Sequence, residues 1–353
     1  MADCPASKPA QSLLLWYEAV KRPLPWRETH DPYRIWISEI MLQQTRVESV
    51  KGYYTRFLSL FPTVYQLAAA PEEQVLKAWE GLGYYSRARN LHKAAQIIVD
   101  AFHGQFPSDY ADILKLPGIG AYTAGAVASI AFGVPVPAID GNVYRVASRF
   151  FGIREDIGAP KTQKELRQRV LDSIPTECPG DYNQALMELG ATLCIPRSPK
   201  CDACPWQKTC DAYAEQDAEL LPLHEKKRPP KSVDMTVALL TYQNEFLVVR
   251  RTQRMLNGLY VFYLLEEETR PAAVQALLRE QGFACEFSSF LGNARHIFTH
   301  RIWDMKIMHI PLLEKPADGL LHSLHARFAT KEDLLILPFP TAMQIAKEKA
   351  LTL

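Results

Sequence analysis

Four cysteines near the middle of the chain have the residue type and the spacing of a metal centre. Cys194, Cys201, Cys204 and Cys210 follow the pattern C-x6-C-x2-C-x5-C within 17 residues. A set of four thiolates suits either tetrahedral zinc or an iron–sulfur cluster. Structural zinc sites usually pair two short C-x2-C knuckles, whereas this segment has one, and its loops can wrap a larger inorganic core. The spacing therefore predicts a metal centre and leaves zinc and iron–sulfur both open.

Two acidic residues occupy settings that favour opposite protonation states. Glu39 lies among apolar neighbours such as Ile37 and Ile40, so it is either on a solvent face or buried with a raised pKa. Asp140 directly precedes a predicted helix, whose free amides and dipole stabilise an anion, although capping the helix is the simpler role. A protonated and an ionised carboxyl form the pair that cleaves glycosidic bonds. The two residues are therefore candidate catalytic groups, provided that the fold brings them together.

The segment Leu116-Pro117-Gly118-Ile119-Gly120 lies between two predicted helices. Glycines at this spacing permit positive φ angles and close approach of a ligand to the backbone. With the N-terminus of the next helix, the amides of Gly118 and Gly120 make an anion site that needs no charged side chain. In DNA-binding helix-hairpin-helix motifs, this pattern holds a phosphate.

These groups must be positioned by the secondary structure predicted around them. Apolar residues at three-to-four spacing predict helices over 32–60, 86–102, 122–132, 143–151, 161–174 and 181–193. A polar, proline-containing stretch over 212–232 is typical of an interdomain linker. Beyond it, strands are predicted over 234–242, 245–250, 284–291 and 302–310, with a helix over 271–280. The chain is thus predicted to be a multidomain α and α+β protein, with an all-helical region 1–211 and an α+β domain 233–353.

The composition is that of a folded protein without a bulk-charge bias. Its 353 residues include 40 Lys+Arg against 39 Asp+Glu, a formal net charge of +1, and 48% are hydrophobic. Disorder and membrane-spanning segments are therefore excluded, and the lack of a secretory signal favours an intracellular location. Near-neutral charge removes the bulk electrostatic argument for nucleic acid, but backbone amides that bind phosphate do not enter a count of Lys and Arg.

The chain resembles the adenine DNA glycosylase (MutY) family in four segments. They are W-I-S-E-I-M-L-Q-Q-T (36–45), G-L-G-Y-Y-S-R-A-R-N-L (81–91), L-P-G-I-G-A-Y-T-A-G-A (116–126) and A-I-D-G-N-V-Y-R-V (138–146). The cysteine spacing also resembles the [4Fe–4S] loop of the endonuclease III superfamily of helix-hairpin-helix glycosylases. The resemblance implies a six-helix part followed by a part that holds a [4Fe–4S] cluster. It also implies excision of adenine mispaired with 8-oxoguanine or guanine from duplex DNA, by base flipping.

The resemblance also implies roles for individual residues. Glu39 protonates adenine N7, which makes the base a better leaving group, and Asp140 stabilises an oxocarbenium ion or covalent intermediate at C1′. Asn142 is expected close to both. Tyr122 stands where bifunctional relatives carry a lysine nucleophile, so base removal by water without efficient strand cleavage is expected. The residues implied to contact DNA are Arg27 at the flipped adenine, Gly118 and Gly120 at a phosphate, and Gln44, Leu82 and Tyr84 in the base stack.

Residues 233–353 resemble the Nudix-like domain that this family appends to its catalytic region. The metal-binding REx2EE core of hydrolytic Nudix enzymes is absent, since the nearest stretch offers only Arg279-Glu280-Gln281-Gly282. A binding role is therefore preferred to hydrolysis. Phe298, Thr299 and His300 resemble the family's F-S-H loop that senses 8-oxoguanine, with threonine replacing serine. A strand-edge cluster with surface histidines is the alternative interpretation.

Two other functions fit part of the pattern. One is a glycosylase of the same superfamily that acts on oxidised or mismatched pyrimidines. The other is a non-catalytic iron–sulfur module that binds DNA or senses redox state, against which the presence of both Glu39 and Asp140 argues. The family further implies a monomer without membrane contact, in the cytoplasm of a bacterial-type cell at the nucleoid, with replication or repair proteins as candidate partners.

Overall fold

The computed structural model describes residues 6–224, 230–253, 255–286, 289–298 and 300–353. Helices dominate the chain before residue 224, as the periodicity predicts. No helix among the described residues is long and apolar enough to cross a membrane. The helices of this region are α1 (Lys8–Val20), α2 (Pro32–Leu42), α3 (Val47–Leu60), α4 (Val64–Ala69), α5 (Glu72–Ala78), α6 (Ser86–Phe102), α7 (Tyr110–Lys115), α8 (Ala121–Phe132), α9 (Gly141–Phe150), α10 (Pro160–Ser173), α11 (Pro179–Thr192) and α12 (Asp211–Ala214).

The predicted helix over 32–60 is in fact two helices, because the backbone leaves the helical region at Gln43, whose ψ is 112°. The next residue, Gln44, adopts a φ of 58°, in the left-handed region. Accordingly, α2 ends at Leu42 and α3 starts at Val47. The other predicted helices agree with α6, α8, α9, α10 and α11 to within two residues at each end.

The helical core near the cysteine loop is built from α1, α9, α10 and α11. Leu13 and Tyr17 of α1 belong to the buried cluster that these helices share. Trp206, from the cysteine loop, joins the same cluster; its indole N–H donates to the Pro9 backbone oxygen at 2.7 Å, and its ring lies 4.1 Å from that of Phe150. The loop is therefore packed against both α1 and α9.

A mixed sheet with helices on its faces follows in the region 230–353. Its order is β4-β5-β1-β3-β2-β6, and β1 runs parallel to β5 while the other neighbours are antiparallel. The strands are β1 (Lys231–Tyr242), β2 (Glu245–Arg250), β3 (Tyr260–Glu266), β4 (Ser289–Ile297), β5 (Arg301–Pro311) and β6 (Ala326–Ala329). The helices are α13 (Pro271–Glu280), α14 (Asp318–Ser323), α15 (Lys331–Ile336) and α16 (Gln344–Thr352).

Alternation along the central strand β1 divides the core into two layers. Val237 and Leu239 point to the cluster that includes α15 and α16, whereas Ala238 and Leu240 point to the cluster that includes α13 and α14. The sheet is thus covered on both faces, which explains why the middle of β1 is apolar at four successive positions, from Val237 to Leu240.

The strand predictions are partly right. The bounds of β2 and α13 are those predicted, and β1 and β5 differ by up to three residues. The strand predicted over 284–291 is wrong in position, because β4 begins only at Ser289. Strand β3 is not predicted from the sequence, since Tyr-Val-Phe-Tyr-Leu-Leu is a continuous apolar run without the period of two.

The chain forms two compact units, and each unit is built from two separate stretches of sequence. One combines Met1–Ala69 with Asn90–Lys226, and the other combines Ala70–Arg89 with Lys227–Leu353. The second unit therefore includes α5 and the turn that follows it. Part of the predicted linker lies against the first unit, because Arg149 donates to the Leu221 backbone oxygen at 3.0 Å. The domain boundaries proposed from the sequence stay a prediction.

Candidate active site

Glu39 is a buried acid on a helix that is buried on most sides. Helix α2 begins after Asp31, whose carboxylate accepts from the Tyr33 backbone N–H at 2.9 Å, and Pro32 opens its first turn. Eight of the eleven residues of α2 are buried, and Glu39 is only 4% exposed. The structure thus places this carboxyl group away from bulk water rather than on a solvent face.

The pKa of Glu39 is raised to about 7. Burial is the main cause, and the nearby charge of Asp140 acts in the same direction, whereas the Tyr122 hydrogen bond and the charge of Arg27 oppose it. Tyr122, in the first turn of α8, donates its hydroxyl to Glu39 Oε2 at 2.6 Å. An acid with this pKa can hold a proton and release it near neutral pH.

Asp140 caps α9, and hydrogen bonds engage both of its carboxylate oxygens. Oδ1 accepts from the Val143 backbone N–H at 2.7 Å, and Oδ2 accepts from Asn142 Nδ2 at 2.9 Å. The side-chain oxygen of Asn142 in turn accepts from Arg145 at 2.9 Å, and Arg145 also donates to the Cys194 backbone oxygen at 2.8 Å. The two interpretations of Asp140 are compatible, because the cap bonds fix a carboxylate that also lines a cavity.

These groups surround one cavity of about 540 Å³ in the first unit. Its size is in the range of cavities that bind small molecules. The sequence-predicted residues that line it are Arg27, Glu39, Gln44, Gly120, Tyr122, Asp140 and Asn142. An acid with a raised pKa and a hydrogen-bonded carboxyl group therefore face the same space.

A buried ion-pair group on the cavity wall is missed by the sequence analysis. Glu188 of α11 accepts from Arg22 Nε at 2.6 Å and from Arg27 Nη2 at 2.7 Å. Burial alone would raise the pKa of Glu188, but the hydrogen bonds from the two guanidinium groups outweigh burial and lower it. Arg27 is therefore held in place at the cavity. The available signal is the one that identifies Glu39, namely an acid between the apolar residues Met187 and Leu189.

The turn between α7 and α8 has the geometry of an anion site. Gly118 adopts a φ of 77°, which favours glycine, and Gly120 directly precedes α8 as its cap. Nothing lies within 4 Å of the position that a Cβ would take at Gly120. The amides at the start of α8 and the helix dipole favour an anion in that space.

The Gly118→Ala variant is expected to lower the free energy of unfolding by about 1–3 kcal/mol. Alanine disfavours the positive φ, and its Cβ would lie 2.6 Å from the Cβ of Asn90, so the turn or α6 must shift. Urea unfolding measures the loss. The control is Gly52→Ala on α3, where nothing lies within 4 Å of the new methyl group, and its stability should be kept or raised. Equal effects of the two variants would contradict this account.

The four predicted ligand cysteines lie close enough to influence one another's charge. Burial raises the pKa of the Cys204 thiol to about 11, and the other three cysteines act in the same direction. Buried Arg149 donates to Cys194 Sγ at 3.4 Å. Four sulfur donors beside a guanidinium fit a sulfur-ligated inorganic centre. Within the described ranges, no group of three or more His, Cys, Asp or Glu residues is arranged to hold a single metal ion.

The remaining predicted contact residues belong to the second unit. Leu82 is buried, whereas Tyr84 is 51% exposed. The ring of Phe298 packs on the buried tryptophan of β5 at 4.8 Å, and His300 is exposed directly before that strand. Thr299 lies outside the described residues. Glu39, Asp140 and their hydrogen-bond partners thus lie in the first unit, whereas these other candidates lie in the second.

Two family models and several curated proteins match the chain. The model described as HhH-GPD superfamily base excision DNA repair protein matches residues 37–171, and the NUDIX domain model matches 236–349. The adenine DNA glycosylase of Buchnera aphidicola subsp. Schizaphis graminum is 37% identical over 72% of this chain and 74% of its own length. The human adenine DNA glycosylase is 42% identical over 60% of this chain and 40% of its own length.

Two solved structures are similar to more than half of the chain. A thermostable thymine-DNA glycosylase is 32% identical, with a TM-score of 0.55, and the match covers 59% of this chain and 97% of that one. An endonuclease III in a non-covalent complex with DNA is 26% identical, with a TM-score of 0.51, and the match covers 59% and 94%. These matches define an N-glycosylase of the helix-hairpin-helix base excision repair class. Within that class, the chain belongs to the adenine DNA glycosylase family.

Proposed function

We propose that this enzyme is a monofunctional glycosylase that flips adenine out of duplex DNA and excises it where it is mispaired with 8-oxoguanine or guanine. The observation that carries the proposal is the 2.6 Å bond from Tyr122 to Glu39, in the same cavity as Asp140. The names of the related proteins support adenine as the base. The proposal includes action as a monomer at the nucleoid.

Glu39 is the general acid in this proposal. At a pKa of about 7, a large share of the enzyme carries the proton at neutral pH. The proton passes to N7 of the flipped adenine, and the electron pair of the glycosidic bond leaves with the base. Tyr122 occupies Oε2 of the acid, which leaves Oε1 to carry the proton. Arg27, fixed by Glu188, supplies a directed donor at the wall of the base pocket.

Asp140 stabilises the positive charge that develops at C1′ of the deoxyribose. The bonds from the Val143 backbone N–H and Asn142 Nδ2 orient its carboxylate. A water molecule then adds to C1′ and gives up a proton to the Glu39 carboxylate, which donated its own proton to the base, so an abasic site remains. Since residue 122 is a tyrosine, that position offers no amine to form a Schiff base with the sugar.

Cys194, Cys201, Cys204 and Cys210 hold a [4Fe–4S] cluster in this proposal. The cluster, when bound, supplies a covalent crosslink among four points of the loop. The chain itself supplies Arg197, Lys200 and Lys208 on the same loop, and we assign them to DNA phosphates. Broad visible absorption of the purified protein that bleaches on reduction or acid treatment supports the cluster, and zinc in its place contradicts it.

Recognition of the base opposite adenine is assigned to Phe298, Thr299 and His300. The ring of Phe298 is anchored in the sheet, and the exposed imidazole of His300 is free to meet a base edge. The contact residues assigned to the base stack are Gln44, Leu82 and Tyr84, and those assigned to a phosphate are Gly118 and Gly120.

The direct test is single-turnover excision on matched duplexes, followed by alkali. Cleavage at adenine opposite 8-oxoguanine and guanine, with none in an A:T duplex, is the expected result. A parallel duplex with thymine opposite guanine tests the pyrimidine alternative, which the similarity to a thymine-DNA glycosylase favours. Cleavage only there, or only at an oxidised pyrimidine, would overturn the proposal. Abundant borohydride-trapped adduct would contradict the monofunctional mechanism.

The Tyr122→Phe variant is expected to move the alkaline limb of the pH–rate profile to higher pH. The rate should fall above about pH 7 in the native enzyme, because the acid loses its proton there. The Tyr122 hydrogen bond lowers the pKa of Glu39, so its removal raises that pKa further. Tyr182→Phe, which removes a buried hydroxyl bonded to Ser173 at 2.9 Å, is the control and should leave the limb in place. A limb that moves to lower pH would refute the assignment.

A further inference from the structure

The segment Ala70–Arg89 is part of the second unit, although it lies far from the rest of that unit in sequence. It contains α5 and a turn that we call the insertion turn, residues 81–84. The turn uses positive φ angles at Gly81 (98°), Gly83 (71°) and Tyr84 (47°). Such a conformation persists only where surrounding contacts hold it, because the non-glycine residue is strained.

Hydrogen bonds and cation–π contacts within the segment fix the conformation of the insertion turn. Buried Arg87 donates to the backbone oxygens of Leu82 at 3.0 Å and Gly83 at 3.1 Å. The indole N–H of Trp79 also donates to Gly83 at 3.2 Å. The Arg87 guanidinium lies against the rings of Trp79 and Tyr84, with centroid distances of 5.3 and 5.7 Å. These contacts all lie within the segment, so they shape the turn but do not connect it to the rest of the second unit.

The Tyr85 hydroxyl connects the insertion turn to the α+β core. It accepts from the Gly81 backbone N–H at 3.3 Å and donates to the Phe339 backbone oxygen at 3.1 Å. Phe339 is almost fully buried in the sheet cluster, and the preceding Pro338 accepts from the Tyr260 backbone N–H at 3.0 Å. One oxygen atom therefore joins the start of the turn to a rigid point of the domain.

A buried lysine makes a second connection. Lys347 of α16 is 6% exposed, and its ammonium lies 3.4 Å from Glu80 and 5.3 Å from the centre of the Phe339 ring. Glu80 also accepts from Lys77 at 2.5 Å, and Lys77 donates to the Leu335 backbone oxygen at 2.5 Å. The residue before the turn is thus tied to two helices of the α+β region.

We propose that the C-terminal domain holds the insertion turn through Tyr85 and Lys347, and that these positioning residues present the exposed ring of Tyr84 to the DNA base stack. The domain then serves extrusion of the target base as well as recognition of the opposite base. This inference rests on the proposed function. One domain then has two separate effects. Its support of the turn changes the excision rate for every mispair, whereas the residues around His300 change only the preference for the base opposite adenine.

The test compares Tyr85→Phe with the native enzyme in two measurements. Loss of a shared hydroxyl should speed amide hydrogen exchange over 81–85 in free protein by about five- to tenfold. Single-turnover excision should fall by a similar factor on A:8-oxoguanine and A:guanine alike, with their ratio unchanged. Lys347→Met, which keeps the packing on Phe339, should act in the same direction. Tyr65→Phe, which removes a hydroxyl bonded to the His103 backbone oxygen at 2.7 Å, is the matched control and should change neither measurement.

Unchanged exchange over 81–85 in both variants would overturn the inference, and so would faster exchange with unchanged excision. A fall confined to the 8-oxoguanine duplex would also overturn it, because the effect would then belong to opposite-base recognition. If the native enzyme excises no adenine, the proposed function fails, whereas the exchange measurement still decides whether the domain holds the turn.

Discussion

Replacing Glu39 by glutamine is expected to lower the single-turnover excision rate by about 10²–10⁴-fold, the usual contribution of a general acid. Glutamine has nearly the same shape, and its side-chain oxygen can still accept the Tyr122 hydroxyl that lies 2.6 Å from Glu39 Oε2. The variant lacks only the proton that leaves with the base. Binding of the mispaired duplex, measured by titration at the same salt concentration, should stay close to native.

Protein stability offers an independent check on Glu39→Gln. The folded-state pKa of Glu39 lies above its ordinary value, so the folded protein retains a proton that the unfolded chain loses. Native stability attributable to this group is therefore present at low pH and lost as the pH rises toward about 7 and above. The variant should lack this dependence and be no less stable at pH 8. A stable variant that excises adenine at the native rate would remove Glu39 from the mechanism.

The Asp140→Asn variant is expected to lose about 10²–10³-fold in excision rate, because the charge that we propose stabilises C1′ disappears. Asparagine caps helices as well as aspartate does, and it can keep the bond from the Val143 backbone N–H at 2.7 Å. The bond from Asn142 to Oδ2 is lost if an amide NH2 group takes that place. The variant should therefore fold normally and still bind the mispaired duplex.

The matched control for Asp140→Asn is Asp109→Asn, which changes the cap of α7. Asp109 Oδ1 accepts from the Ala111 and Asp112 backbone N–H groups at 2.8 and 3.2 Å, as a helix cap outside the cavity. Its replacement should leave the rate near native. Equal losses in the two variants would mean that Asp140 acts only as a cap.

The settings of the two acids proposed for catalysis are predictable from sequence, because each acid has a strong local signature. Glu39 stands in an apolar helix, and Asp140 directly precedes a helix, so burial and helix polarity are visible within a few residues. The turn at Gly118 and Gly120 is also predictable from sequence, because the spacing of these glycines is typical of a turn between two helices. Helix bounds follow from the apolar periodicity, except where Gln43 and Gln44 leave the helical backbone region and divide a helix.

Contacts between residues far apart in sequence are not predictable in this way. The ion pair of Arg27 with Glu188 joins residues 161 positions apart, and only the fold shows that they meet. The continuous apolar run of β3 fits a buried helix as well as a buried strand. The membership of 70–89 in the second unit has no local signal, because Tyr85 and Lys347 find their partners only through tertiary structure.

The discontinuous second unit also has a consequence for the order in which the chain is synthesised. Lys347 and Glu80 are 267 positions apart, so a ribosome releases α5 and the insertion turn long before α16 exists. All residues of the first unit have been made before α16 is synthesised, whereas Trp79 and Tyr85 do not yet have their native environment. Closing so long a loop costs entropy and slows folding. Truncation or stalling shortly before α16 should therefore yield nascent chains whose insertion turn is an early site for proteases and chaperones.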